Sequence, residues 1–493
     1  MVSPDLKTFK KLFRKGDLVA LTRSIPADLE TPVSCFMKLA SRSPQAFLLE
    51  SAEQEEKIGR YSIIGLDPEA VLTEDAEGIR IARGGKKTVR VRGRPMLEHL
   101  KDEMAGCRVA NPEVSQGFLG GMVGFFSYEC VQDFESVRLR KKHGEKIPRA
   151  IFFLTRRFVI FDHFRKRMTI VNLVAKPERG EPGKAYAQAA RWIDRAVGLL
   201  KNPVRVSRSG SESRARRFQR HTSRAAFAAK VRRIREYIKA GDCIQVVLSQ
   251  KFSTRAPRED FSIYRALRSV NPSPYMFYFR SGPVRLIGSS PELLVKVHGR
   301  DCEVRPIAGT RPRGKDPRAD GAFEENLKRS PKELAEHLML VDLGRNDLGR
   351  VCDFKTVAVK NFARVERYSH VMHLVSDVAG RLARGKDRFD LLKATFPAGT
   401  VSGAPKIRAM QIIDELEEET RGPYAGCLGF LSYDNAMEMC ITIRTIMVAG
   451  SRLCVQVGAG IVKDSNPARE YQETVNKAKA LFKAIEQSGA FAC

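Results

Sequence analysis

Two pairs of glutamates stand three residues apart, Glu333 with Glu336 and Glu470 with Glu473, each just inside a segment that begins like a helix. Residues at i and i+3 share one helix face. Two such pairs turned toward each other would form an acidic cage for a hard cation. Mg²⁺ suits that cage, because it takes one or two protein carboxylates and keeps places for water and substrate oxygens. A di-iron centre is the competing metal reading, and it wants a Glu-x-x-His pair on each of two helices. Here His337 directly follows Glu336, and the segment with Glu470 and Glu473 has no histidine. Glutamates also favour a helix's first turn through capping and the dipole alone. His373, in the apolar stretch Val371-Met372-His373-Leu374-Val375, is the best general-base candidate by its intrinsic pKa. A satisfied structural histidine is the plainer reading of that position.

Three other patterns fall short. Gly309-Thr310-Arg311-Pro312-Arg313-Gly314-Lys315-Asp316 nearly matches a phosphate-binding loop, but Asp316 replaces the hydroxyl residue and would repel phosphate. Gly458-Ala459-Gly460 lacks the third glycine of a dinucleotide fingerprint. Gly426-Cys427-Leu428-Gly429 resembles a glutaminase nucleophile turn, yet the last histidine in the chain is His373, so no downstream histidine can activate Cys427.

The elements that must carry these residues are readable in outline. Ser330-Pro331 opens a helix, with Ser330 as N-cap and Glu333 completing a capping box. Asp464 and Ser465 cap a last long helix with Pro467 in its first turn. Further helices are expected over 183–200, 224–240 (closed by Gly241) and 403–418. Strands are expected over 243–252, 427–433, 437–448 and 453–462, with a hairpin of 275–280 and 284–288 across Ser281-Gly282-Pro283. Before residue 201 the chain is strand-rich, including the glycine-laced run Gly117 to Phe126. There is no repeat and no βαβ alternation, so the pattern predicts an α+β fold of antiparallel sheets flanked by helices. The expected organisation is an N-terminal region 1–200, a basic linker or loop 201–222, and a C-terminal region 223–493.

The chain has 493 residues, of which 43% are hydrophobic, enough for a large core. No run approaches the ~18 apolar residues of a spanning helix. The Lys-rich start lacks an apolar core, so no secretory signal is expected. The ten cysteines are scattered without a Cys-x-x-Cys pair, which suggests reduced thiols in the cytoplasm. Lys+Arg 86 against Asp+Glu 57 leaves a net charge of +29. Nucleic-acid binding is the sharp reading of that charge, and a solvated basic surface the bland one. Eleven Lys and Arg crowd between Arg205 and Arg235 with Glu212 alone against them, but no nucleic-acid-binding motif lies beside them. Nucleic acid is therefore not the expected partner.

Several segments become specific when taken in order. Pro306-Ile307-Ala308-Gly309-Thr310-Arg311-Pro312-Arg313-Gly314 precedes Glu336-His337-Leu338-Met339-Leu340-Val341-Asp342-Leu343-Gly344-Arg345-Asn346-Asp347. Then follow Val371-Met372-His373, Thr400-Val401-Ser402-Gly403-Ala404-Pro405-Lys406, Ile441-Thr442-Ile443-Arg444 and Gly458-Ala459-Gly460-Ile461-Val462. This series resembles the chorismate-utilising enzymes, and among them the large subunits (component I) of anthranilate synthase. The resemblance is strongest over the C-terminal region. The N-terminal part joins it more loosely, through Leu48-Leu49-Glu50-Ser51, Gly59-Arg60-Tyr61-Ser62 and the glycine-laced run.

The resemblance implies two stacked antiparallel sheets with helices outside, and a Mg²⁺-dependent reaction of chorismate with ammonia to give anthranilate and pyruvate for tryptophan biosynthesis. By the same resemblance Glu336 and Glu473 are direct Mg²⁺ ligands, Glu470 acts through metal-bound water, and Glu333 protonates the leaving hydroxyl. A carboxyl among carboxylates should have a raised pKa, which suits an acid. His373 would remove the ring C2 proton. Gly309, Thr310, Thr400, Tyr424, Arg444 and Gly458-Ala459-Gly460 would hold the substrate.

Two positions discriminate within the family. Gln245 stands where enzymes that add water carry a lysine base, and Ala308 stands where the p-aminobenzoate-route subunits carry a nucleophilic lysine. Both favour direct addition of ammonia. Aminodeoxychorismate synthase component I remains the alternative, and a non-catalytic basic binding protein is the alternative of another class. No glutaminase segment is present, so the resemblance implies a separate glutamine amidotransferase subunit. Ser51 and Pro274-Tyr275-Met276 resemble a feedback pocket for L-tryptophan.

Overall fold

In the computed structural model the described residues are all except 42, 52–58, 85, 115–116, 141–142, 177–180, 205–215, 258, 369–370 and 492–493. Two sheets, each of 12 strands, form the body. Their ladders are antiparallel, and each sheet draws on both ends of the chain. In the first sheet Gln45–Glu50 pairs with Tyr275–Ser281, placing Phe47 opposite Phe279. In the second, Gly121–Phe126 pairs with Cys427–Ser432, placing Gly124 opposite Gly429. A methyl on Gly124 would lie 2.0 Å from the carbonyl oxygen of Ile151 on the next strand, so the glycine allows that close approach. Residues 1–200 and 223–493 thus contribute strands to both sheets.

The sheets face each other through aromatic rings. Phe279 of the first sheet stacks on Phe153 of the second at 4.5 Å and meets Phe125 edge-on at 5.8 Å. All three are buried to within 1%. Burying each such ring stabilises the fold by about 1.5–3 kcal/mol. Helices lie outside, and the Pro467–Gln487 helix packs on both the Arg452–Ile461 strand and the Phe261–Val270 helix.

Four local features differ from the sequence reading. The apolar run 437–448 is two strands in different sheets, Met437–Ile441 in the second and Thr445–Ala449 in the first. The chain crosses between them at Thr442-Ile443-Arg444, where Arg444 adopts φ +49. Strand propensity is continuous along the run and carries no mark of the sheet change. The 403–418 helix begins only at Lys406 and ends at Leu416, because Pro405 biases Ala404 toward extended backbone and Gly403–Ala404 pairs with the Gln245–Arg255 strand.

The capping box at Ser330 is half made. The Ser330 hydroxyl accepts the Glu333 N–H at 3.5 Å, while its own N–H donates to Leu327 O at the end of the preceding helix. The last helix is capped by Asn466, which accepts from the N–H groups of Ala468 and Arg469. Ser465 instead accepts from Val462 N–H. Of the 201–222 linker, 205–215 lie outside the described residues. Beyond it Gln219–Arg220 adds a short strand to Gln245–Arg255, and Phe218 stacks on Phe482 at 4.0 Å.

Candidate active site

His373 lies on the Val371–Arg381 strand, opposite Thr310 of the Ile307–Pro312 strand. The register slips between Ala308 and Thr310, where Gly309 stands at φ +66. A bulge of this kind re-aims the backbone. Here it brings the Gly309 carbonyl oxygen to 3.0 Å from His373 Nδ1, with Thr310 Oγ1 at 3.1 Å. A carbonyl only accepts, so Nδ1 carries the proton and Nε2 keeps a lone pair. Burial pushes the His373 pKa down, the Gly309 bond pushes it up, and the Arg444 charge pushes it down again, leaving it below the ordinary histidine value.

Arg444 sits at the crossing between the sheets. Its Nη1 donates to Lys477 O at 2.9 Å, and burial holds its pKa down against the favourable charges of Tyr424 and Glu473. Tyr424 is buried beside Gly458, and a methyl on Gly458 would lie 2.6 Å from the Tyr424 hydroxyl. Lys477 Nζ donates to Gly458 O at 3.0 Å and pairs with Glu473 at 2.7 Å. Gly460 lies under the Gln245 side chain, where a methyl would come within 2.3 Å of Gln245 Nε2. Ala459, opposite Leu248 in the ladder, is fully buried. Tyr424, Arg444, the 458–460 strand and the last helix therefore form one wall.

The Pro331–Gly349 helix and the last helix bring the glutamate pairs within reach of each other's fields. Burial raises the Glu336 pKa, and the charges of Glu333 and Glu473 raise it further. Burial also raises Glu470, with Glu473 adding to the rise while a Ser465 hydrogen bond opposes it. Glu333 itself pairs with Arg311 Nη1 at 3.0 Å and lies against Gly309. Carboxylates that repel one another in a half-buried cleft are a donor set suited to a hard cation. Among the described residues, the group of three metal-ligating side chains gathered within 4.8 Å of one another is Glu74, Cys130 and Asp133, and no three of the four cleft glutamates gather that closely.

Two residues of this region escape a reading of the sequence. Glu292, between the Val284–Ser290 and Leu293–His298 strands, is 7% exposed, and burial pushes its carboxyl up to about 8 against the pull of Thr400 and Lys477. Its sequence signal is an acid placed between two buried apolar strands. Lys477 follows Glu473 by one helical turn, so helical spacing alone could have joined it to the glutamate face. Glu292 and Thr400 line a small cavity of about 40 Å³ with Asp347 and Ile441.

Ser51, Pro274, Tyr275 and Met276 line a second cavity, of about 640 Å³, together with Arg364 and Glu438. Leu293 and Arg305 front both cavities. Ala308 is buried in its strand, and no amine occupies that place. Cys427 is a buried strand residue with its thiol pushed up by burial, which removes the nucleophile reading. No helix among the described residues is long and apolar enough to cross a membrane.

The profile of the family described as chorismate binding enzyme matches residues 17–483. Anthranilate synthase component 1 of Thermus thermophilus is 46% identical over 467 residues, covering 94% of this chain and 97% of that protein. Its counterpart from Acetivibrio thermocellus is 42% identical over 499 residues, covering 99% of each. The crystal structure of anthranilate synthase component I from Streptococcus pneumoniae TIGR4 matches with a TM-score of 0.76 at 34% identity, covering 93% of this chain and 99% of that one. The menaquinone-specific isochorismate synthase of Escherichia coli shares the fold, with a TM-score of 0.72 at 20% identity over 98% of this chain and 100% of that one. Sequence, fold and relatives agree, and the chain belongs to the family of chorismate-binding enzymes, in its anthranilate synthase component 1 branch.

Proposed function

We propose that the chain converts chorismate and ammonia to anthranilate and pyruvate in tryptophan biosynthesis. The observation that carries this reading is the tautomer of His373. With Nδ1–H tied to Gly309 O, a neutral imidazole offers Nε2 as a base inside the cleft walled by Arg444 and the glutamates.

In this reading Arg444 and Tyr424 hold substrate carboxylate, since a guanidinium suits a planar anion. Thr310, Thr400 and the 458–460 backbone position the ring and its enolpyruvyl group. His373 Nε2 takes the C2 proton as pyruvate leaves. The C4 hydroxyl departs only with a proton. Glu333 is the donor expected from the family resemblance. Glu292 is a second donor, because its buried carboxyl keeps its proton up to about pH 8. Mg²⁺, held by Glu336 and Glu473 with Glu470 acting through water, would draw electron density from the ring through the substrate carboxylate. Burial raises both Glu336 and Glu470, and the charge of Glu473 raises each further, which supports that donor set.

The ammonia would come from a glutamine amidotransferase partner, and free ammonium should replace it. L-Tryptophan would bind in the cavity of Ser51 and Pro274-Tyr275-Met276, and the setting is cytoplasmic. The test incubates the purified chain with chorismate, Mg²⁺ and ammonium and separates the products. Anthranilate with pyruvate is expected, and an aminodeoxychorismate peak would overturn the assignment. Glu473→Ala should abolish Mg²⁺-dependent turnover in a folded chain, and unchanged turnover would sink the metal set.

A further inference from the structure

Cys302 and Cys352 meet inside the protein with their sulfurs 3.3 Å apart. Cys302 lies in the Asp301–Val304 strand, opposite Gly380. Cys352 follows the Pro331–Gly349 helix and bridges to Leu382. Gly380 is what lets them meet. A methyl there would lie 2.8 Å from Cys352 Sγ and 3.2 Å from its Cβ, so the Cys352 side chain crosses bare backbone to reach its neighbour. Cys302 S–H also lies 3.2 Å from Gly380 O, which accepts. The two residues are 3% and 7% exposed. Even so, Cys302 lines a cavity of about 630 Å³ with Thr356, Lys360 and Arg381, which has room for a small oxidant.

We propose that Cys302 and Cys352 are a redox-modifiable dithiol that a hydroperoxide closes to a disulfide. One sulfur, as thiolate, attacks the outer peroxide oxygen. The O–O bond breaks, and the departing alkoxide takes up the thiol proton to become an alcohol. The other sulfur then attacks the sulfenic acid. The S–S bond forms, the S–O bond breaks, and hydroxide leaves as water with the second thiol proton. The dithiol is oxidised by two electrons and the hydroperoxide is reduced to alcohol and water.

The segment between the two cysteines contains Gly309, Thr310, Glu333 and Glu336. Shortening the sulfur separation to about 2.05 Å would staple the end of the glutamate-bearing helix to an interior strand of the second sheet. This proposal stands on geometry and does not depend on which reaction the cleft performs.

The test treats the reduced full chain with a small excess of hydrogen peroxide, then alkylates, digests and maps it by mass spectrometry. The expected product is a peptide pair joined through Cys302 and Cys352, released by dithiothreitol. The oxidised chain should also show slower amide hydrogen exchange over 303–351. Cys302→Ala and Cys352→Ala should each remove both signals, with Cys302→Ser as the second variant if alanine disturbs folding. Oxidation of the half-exposed Cys107 while 302 and 352 stay separate thiols would overturn the proposal. So would a joined pair with unchanged exchange over 303–351.

Discussion

The carbonyl oxygen of Gly309 lies 3.0 Å from Nδ1 of His373, and the glycine reaches it only because the strand bulges there at φ +66. The bond assigns the proton to Nδ1 and leaves Nε2 basic. Because burial and the Arg444 charge keep the ring's pKa below the ordinary histidine value, the working neutral form persists into mildly acid solution. Activity should be full above that depressed pKa and lost as pH falls through it. A pH profile of kcat/KM should therefore show an acid midpoint below about 6.5. His373→Ala should erase that limb and cost about 10²–10⁴ in rate, and an amino-cyclohexadiene product should accumulate. Quantitative conversion to anthranilate by the variant would refute the role.

Glu292 should govern the alkaline side. Its folded pKa of about 8 stands above the unfolded value of about 4.3. The folded chain thus holds this proton more tightly. Its contribution is present below the unfolded pKa and is lost as pH rises toward 8. Wild-type stability should decline between pH 5 and 8 by up to roughly 1.4 kcal/mol for each unit of pKa difference traversed, and Glu292→Gln should abolish that decline in denaturant titrations. If Glu292 donates the proton, Glu292→Gln should lower kcat about 10²–10⁴-fold. A loss confined to Glu333→Gln would assign the proton to Glu333.

Gly458→Ala tests the substrate wall. The new methyl would stand 2.6 Å from the Tyr424 hydroxyl and 3.0 Å from Val247, so the ring must move. Misplacing a positioning group by about 1 Å can cost on the order of 10²-fold. We expect kcat/KM for chorismate to fall at least about tenfold, with the thermal midpoint changed far less. Wild-type kinetics in the variant would remove Tyr424 from the site.

Glu417 and Arg421 form a buried ion pair, with Nε to Oε2 at 2.8 Å and Nη2 to Oε1 at 2.7 Å. Arg421 also donates to Val401 O and Val247 O, and its guanidinium lies over Tyr128 and Tyr424. Glu417→Ala would leave that cation buried without its counter-ion. A loss of about 3–5 kcal/mol is expected in urea titration. A loss under about 1 kcal/mol would mean that solvent reaches the arginine.

Much of the cleft was legible because its residues sit at element starts and in short motifs. Pro331 and Pro467 announced the two helices that carry the glutamates, and the hairpin at Gly282 was readable from its turn residues. What escaped depends on contacts between distant segments. No local pattern tells that Arg311 will take Glu333, or that an unbroken apolar run will leave one sheet at Ile441 and enter the other at Thr445. Glu292 escaped for a related reason, since its raised pKa comes from burial among segments far apart in the chain, including Leu340, Thr400 and Ile441. The Asn466 cap was missed by one residue, within a cluster of three good capping residues.

Leu293 and Arg305 face the Glu292 cavity on one side and the Ser51 cavity on the other. These two side chains belong to the walls of both chambers. Whatever fills the larger chamber presses on the same leucine and arginine that bound the smaller one. Enlarging or trimming either shared residue should therefore reshape both chambers together.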